Sequence, residues 1–316
     1  MCTAITFKTK DFYFGRNLDV ERSYNERVVV TPRKFPIKMR CVESLKTHYA
    51  MIGMATVIDD FPLYFEATNE KGLSIASLNF PENADYKALD ERLNNITPFE
   101  FIPYILGKCK NIYEAQDELT KINLVNINFS KNLPLSPLHF IISDKTKSLT
   151  VESVKDGLKI YENPVGVLTN NPTFDFHLMN LNNYMTLSEA VAENKFSKNI
   201  EFNNYSLGLG ALGLPGDFSS ASRFVKATFV KYKSKSGSSE KESVNQFFHI
   251  LDSVSMPKGC VLVRDGEYEY TRYSCCCNAD KGIYYFKTYD EFNIEQVKLN
   301  SYNLNSSTLF EKNIKF

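Results

Sequence analysis

The chain has 316 residues, 43% hydrophobic and 23% charged, which suits a globular protein with a sizeable core. Its 37 Lys and Arg offset its 37 Asp and Glu, so charge gives no reason to expect a nucleic-acid partner. No apolar run is long enough to span a bilayer and no basic-then-apolar leader opens the chain; the expectation is a cytoplasmic protein without stable membrane association.

In chain order, residues 3–7 and 12–17 read as a hairpin. Val28–Thr31, Tyr49–Val57, Leu63–Thr68 and Leu73–Asn79 follow as strands, separated by turn signals such as Glu70-Lys71-Gly72. The period then changes. Thr97-Pro98-Phe99-Glu100 has a cap residue, a first-turn proline and a glutamate three residues on, which predicts a helix to about Lys108. Asn111 opens a second helix whose apolar stripe is Ile112, Ala115, Leu119 and Ile122. Strands resume over 138–143, 149–153, 158–161 and 165–169. Helices are expected over 174–183 and 219–231, and a flexible loop over 233–243. Val244, Phe247, Phe248 and Leu251 mark another amphipathic helix, and strands over 268–274, 283–288 and 294–299 close the chain. The alternation of strand and helix blocks predicts two sheets with two helical layers in one domain, residues 1–316.

Three features invite cofactor readings that chemistry argues against. Gly208 to Gly213 matches G-x-G-x-x-G by letter, but a polar loop precedes it and Leu214-Pro215-Gly216 interrupts any helix beyond it, so no nucleotide site is expected. Cys275-Cys276-Cys277 on a strand would alternate faces and cannot converge on one metal ion. The histidines at 48, 139, 177 and 249 show no ligand spacing. Neither cofactor nor metal is expected, and seven cysteines without an export signal are expected as thiols.

The chemistry is expected at the start. Cys2 follows the initiator Met, and loss of Met1 would leave a thiol and an α-amine on one residue. The amine, with a reference pKa of about 8, can accept the thiol proton, whose own value is about 8.5. One residue then supplies nucleophile and base. Arg16 and Asp19 lie one hairpin later, where an arginine would favour the thiolate and an aspartate would orient the amine.

Met1-Cys2-Thr3, Phe14-Gly15-Arg16-Asn17-Leu18-Asp19, Asn69-Glu70-Lys71-Gly72-Leu73, Leu78-Asn79-Phe80-Pro81, Leu168-Thr169-Asn170-Asn171-Pro172 and Gly213-Leu214-Pro215-Gly216-Asp217 occur in this order over nearly the whole chain. Together they resemble the bile salt hydrolases, in the choloylglycine hydrolase branch of the N-terminal nucleophile hydrolases, with penicillin V acylases as close relatives. The resemblance implies an α+β, αββα sandwich of two antiparallel sheets. It implies catalytic roles for Cys2, Arg16, Asp19, Asn79, Asn170 and Arg223, with the Asn79 backbone N–H and the Asn170 amide as oxyanion donors. It further implies glycine- or taurine-conjugated bile salts as substrates, a bacterial source and a homotetramer. Val20, Phe61, Phe65 and Leu135 are apolar candidates for lining the steroid site. Competing expectations are a penicillin V acylase or other N-acyl amide hydrolase, an acyltransferase that uses an amine in place of water, and a non-catalytic binding protein on the same fold.

Overall fold

The structure, a computed structural model, describes residues 1–315. Six strands come first: β1 (Cys2–Lys8), β2 (Phe12–Val20), β3 (Arg27–Thr31), β4 (Met51–Ile58), β5 (Phe61–Asn69) and β6 (Ser74–Asn79). A short β7 (Asn94–Ile96) leads to α1 (Phe101–Lys108), α2 (Ile112–Leu119) and β8 (Ile122–Leu124). Next are β9 (Leu138–Ser143), β10 (Ser148–Val154), β11 (Gly157–Glu162) and β12 (Val167–Leu168). Three helices follow: α3 (Phe174–Leu181), α4 (Ser220–Lys233) and α5 (Glu240–Asp252). The last strands are β13 (Val261–Arg264), β14 (Glu267–Asn278), β15 (Ile283–Thr288), β16 (Glu295–Lys298) and β17 (Phe310–Asn313).

One sheet has the order β12-β1-β2-β14-β15-β16, with β13 also on β14; the other runs β11-β10-β9-β6-β5-β4-β3-β17. Neighbouring strands in both are antiparallel. Period-two geometry divides the second sheet's side chains between two cores. Ala76, Leu78, Val28 and Val30 face the first sheet and join Ala4, Phe14, Phe224 and Phe247. Ile75, Ala67 and Phe140 face the other way and pack with Phe101, Ile105 and Ile112 of α1 and α2. Helices α4 and α5 lie against the first sheet. The layers are therefore helix, sheet, sheet, helix, as expected. β1 and β2 are buried on both faces, which is why they do not alternate cleanly between apolar and polar. Gly15 permits that crowding, since a Cβ there would lie 2.0 Å from the Cys275 carbonyl oxygen.

Several boundaries differ from expectation for local reasons. The helix expected from Thr97 begins at Phe101. The Glu100 carboxylate accepts from the Thr97 N–H at 2.9 Å and from the Thr97 hydroxyl at 2.7 Å, and no side chain caps α1 at Glu100. Asn111 does cap α2, accepting from Tyr113 and Glu114. Ile122, however, leaves the helix and pairs in β8 with Asn94 of β7. The loop expected to reach Ser243 ends earlier, because Ser239 and Glu242 form a reciprocal capping box that starts α5 at Glu240. The cysteine triplet lies inside β14, which runs to Asn278, and the exposed strands β13 and β17 carry no expectation from the sequence. Residues 208–213 contain only a 3-10 turn at Leu209–Ala211, with neither strand before it nor α-helix within it.

Candidate active site

The β1–β2 register sets the site. Cys2 pairs with Leu18, Thr3 with Asn17 and Ala4 with Arg16. Side chains alternate, so Cys2 and Arg16 share the face toward the second sheet, while Thr3, Asn17 and Asp19 share the face toward α4 and α5.

On the intersheet face, the fully buried Arg16 donates from Nη1 to the carbonyl oxygens of Phe65, at 3.1 Å, and Ser77. Its Nε lies 3.9 Å from Glu66 Oε2. Glu66 in turn accepts from the hydroxyls of Tyr273, at 2.8 Å, and Tyr284, at 2.6 Å. Burial by itself would lower the Arg16 pKa, but the Cys2 sulfur, Tyr273 and the Glu66 carboxylate outweigh it and hold the guanidinium charged. Arg16 Nη2 is buried and makes no hydrogen bond among the described residues, leaving one guanidinium nitrogen with both its hydrogens uncommitted on the face shared with Cys2.

On the helix face, Asp19 is fully buried and its Oδ1 accepts from the Thr271 hydroxyl at 2.6 Å. Its Oδ2 has no hydrogen-bond partner among the described residues. Burial pushes the carboxyl pKa up, against the pull of Arg223, the N-terminal amine, the Thr271 hydroxyl and Arg16. Met1 continues the strand pairing: its amine donates to the Asp19 carbonyl at 2.7 Å, its carbonyl accepts from the Asp19 N–H at 3.0 Å, and the amine also contacts Glu269.

Arg223, on α4, is 1% exposed and binds the Cys2 backbone. Nη1 donates to the Cys2 carbonyl at 2.5 Å and the Thr3 hydroxyl at 2.6 Å, Nη2 to Asn170 Oδ1 at 2.8 Å, and Nε to the Phe218 carbonyl at 3.0 Å. Asn170 Oδ1 also accepts from the Cys2 N–H at 2.8 Å, and Asn170 Nδ2 donates to the Asn79 carbonyl at 2.7 Å. An amide nitrogen carries two hydrogens, so one donor of Asn170 remains. The Phe80 N–H donates to the Pro137 carbonyl at 2.8 Å, which turns the preceding Asn79 N–H to the opposite edge of β6. On that edge the pairing with β5 stops at Ala76.

All six expected residues thus lie in one connected constellation around Cys2. The four apolar candidates divide. Val20 and Phe65 pack against the core that contains Cys2. Phe61 belongs to the other core, with Phe99 and Phe129 at ring separations of 5.9 and 6.0 Å. Leu135 is half-buried in a loop, its N–H donating to Asn128 at 3.1 Å. Neither of these last two belongs to the core that contains Cys2.

Sequence reasoning passed over two histidines beside the site. His177 donates from Nε2 to the Asn170 carbonyl at 2.9 Å and stacks on Phe224 at 4.7 Å. Burial pushes its imidazole down to about 4, so it is neutral at pH 7. A group whose folded value lies below its unfolded value of about 6.5 contributes full stability above 6.5 and loses it as pH falls toward 4. The expected loss over that window is roughly 3 kcal/mol. Urea midpoints taken from pH 7 to pH 4 will fall more steeply for the native chain than for His177→Gln.

A nucleophile at the first strand of two face-to-face antiparallel sheets, with helices outside both, defines the N-terminal nucleophile hydrolase fold. Residues 2–311 match the family of linear amide C–N hydrolases known as the choloylglycine hydrolase family, and the chain belongs to it. A bile salt hydrolase/transferase of Lactiplantibacillus plantarum is 56% identical over 309 residues, covering 98% of this chain and 95% of that protein. The crystal structure of a mutant conjugated bile acid hydrolase from Clostridium perfringens superposes with a TM-score of 0.92 at 36% identity, covering 100% of this chain and 97% of that one. A penicillin V acylase from Agrobacterium tumefaciens shares the fold, with a TM-score of 0.78 at 19% identity over 99% of this chain and 91% of that one. The protein is an enzyme of amide hydrolysis. No helix among the described residues is long and apolar enough to cross a membrane.

Proposed function

We propose that the protein cleaves the amide of glycine- and taurine-conjugated bile salts, with Cys2 as nucleophile once Met1 has been removed. The observation that carries this reading is the convergence of Arg16, Asp19, Asn170 and Arg223 on the two faces of Cys2. The Cys2 amine takes the thiol proton, and the thiolate, beside Arg16, attacks the carbonyl carbon. The Asn79 N–H and the free hydrogen of Asn170 Nδ2 receive the oxyanion. Collapse breaks the C–N bond, the ammonium returns its proton to the departing nitrogen, and a thioester remains. Water then adds to the thioester with the amine again as base, releasing the bile acid and the thiol. Arg223 holds the Cys2 carbonyl and Asn170 Oδ1 in fixed relation, and Asp19 Oδ2, which has no hydrogen-bond partner among the described residues, accepts from the freed amine. Val20 and Phe65 are the apolar candidates on the nucleophile's side; Phe61 and Leu135 reach substrate only through parts of it that extend away from Cys2.

Incubation with glycocholate and taurocholate will release glycine and taurine. Absence of both products would remove this reading, and preference for phenoxyacetyl amides would replace it with a penicillin V acylase. Acyl transfer to an added amine is a second activity of the same thioester, favoured by the relative named both hydrolase and transferase. We further propose a cytoplasmic bacterial homotetramer built on residues 1–316 as one domain. Phe196, Tyr205 and Leu207 are 85%, 85% and 86% exposed in the irregular stretch before α4, apolar surface that subunit contact would cover. Native mass of the same preparation checks this.

A further inference from the structure

The backbone of Asn170, assigned to the oxyanion, is held by side chains that have no role in the acyl transfer itself. Asn170 lies between Thr169 and Asn171, in a segment with neither helix nor strand geometry. Nothing in its own secondary structure fixes the amide. Two buried imidazoles grip its backbone instead. His139 Nε2 lies 2.8 Å from the Thr169 carbonyl, and His177 Nε2 lies 2.9 Å from the Asn170 carbonyl. A carbonyl only accepts, so both Nε2 atoms carry hydrogen.

Each ring is fixed further. His139 Nδ1 lies 3.0 Å from Glu152 Oε1, and Glu152 also accepts from the Phe174 N–H at 3.1 Å, tying β10 to the start of α3. The His139 ring stacks on Phe80 at 4.2 Å and 8°. Phe80 follows Asn79, whose carbonyl receives Asn170 Nδ2. The His177 ring stacks on Phe224 at 4.7 Å and 23°, and Phe224 follows Arg223, which donates to Asn170 Oδ1. Each histidine therefore touches one of two consecutive carbonyls and the aromatic neighbour of another site residue. His139, Glu152 and His177 are all fully buried.

We propose that His139 and His177 are the positioning residues of the oxyanion site, clamping the Thr169–Asn170 backbone so that the Asn170 amide stays aligned with the Asn79 N–H. This rests on the reading of Cys2 as nucleophile and of Asn79 and Asn170 as oxyanion donors. The clamp touches neither the thiol nor the amine. Asn170 Oδ1 also accepts from the Cys2 nitrogen, but the main effect of the clamp falls on steps in which a carbonyl oxygen gains charge, where a misplacement of about 1 Å can cost about 10²-fold.

The test compares two reactions of Cys2. Glycocholate hydrolysis passes through an oxyanion; alkylation by iodoacetamide is displacement at a saturated carbon and does not. Glutamine retains a donor at the place of histidine Nε2, whereas asparagine is too short to reach it. His139→Asn and His177→Asn are each expected to lower kcat by about 10²-fold with KM changed less than threefold and the alkylation rate falling far less than kcat. His139→Gln and His177→Gln should recover at least a tenth of native kcat. Glutamine variants no better than asparagine ones, or a parallel fall in alkylation, would overturn the clamp. Native protein that neither hydrolyses glycocholate nor labels at Cys2 would overturn the nucleophile assignment instead, so the two failures are distinguishable.

Discussion

Cys2→Ala will lose at least about 10⁴-fold in kcat for conjugated bile salts, the scale seen when an attacking group is removed from a comparable acyl-transfer site. The three thiols of β14 cannot substitute. Cys275, Cys276 and Cys277 are fully buried, and burial pushes each thiol pKa up, to about 12 for Cys277. The same experiment separates sulfur from amine. With Met1 attached, the Cys2 nitrogen is an amide that donates to Asn170 Oδ1 and cannot take a proton. Intact mass after brief exposure to glycocholate should show the cholyl adduct only on chains that have lost Met1. An adduct on Met1-bearing chains would take the amine out of the mechanism, and full turnover by Cys2→Ala would take out the sulfur.

Arg223→Ala is expected to cost about 3–5 kcal/mol of stability, the range for removing one member of a buried charged network. Its loss takes a donor from the Cys2 carbonyl, the Thr3 hydroxyl, Asn170 Oδ1 and the Phe218 carbonyl, and a positive charge from beside the buried Asp19. Arg223→Lys keeps the charge but replaces a planar fork with a single ammonium that cannot reach all four acceptors. It should recover part of the stability and little of the activity. Urea midpoints and glycine release on the same preparations check both halves. A lysine variant with native kcat would show that the charge alone suffices.

The order of strands and helices was legible because most elements carry local signals, such as the Asn111 cap and the stripe from Val244 to Leu251. Ile122 shows the limit: it continues a helical spacing by number, yet it is used as a strand residue because β7 offers it a partner. The same limit explains β13, whose strand character comes from pairing with β14. At the site, most of the side chains that the resemblance implies lie in short contiguous motifs, and the fold gathers them around Cys2. The histidine clamp was hidden. Glu152 is 13 residues from His139, and Thr169 is 30, so only folded topology reveals the contact. Phe61 shows the same dependence on pairing. Its face is decided by strand pairing in β5, including a register shift between Met54 and Ala55, and apolarity alone does not report it.

The alternation along β1 and β2 also determines which loops of this enzyme can vary in length. Thr9 to Asp11 join the two strands, with the Thr9 N–H donating to the Asp11 carbonyl at 3.0 Å. Adding or deleting one residue there would rotate the second strand by one step, sending Arg16 toward the helices and Asp19 between the sheets. The stretch from 189 to 206 is outside every paired strand and can lengthen or shorten without altering that phase. Natural insertions and engineered grafts should therefore accumulate in the long connection and be absent from the three-residue one.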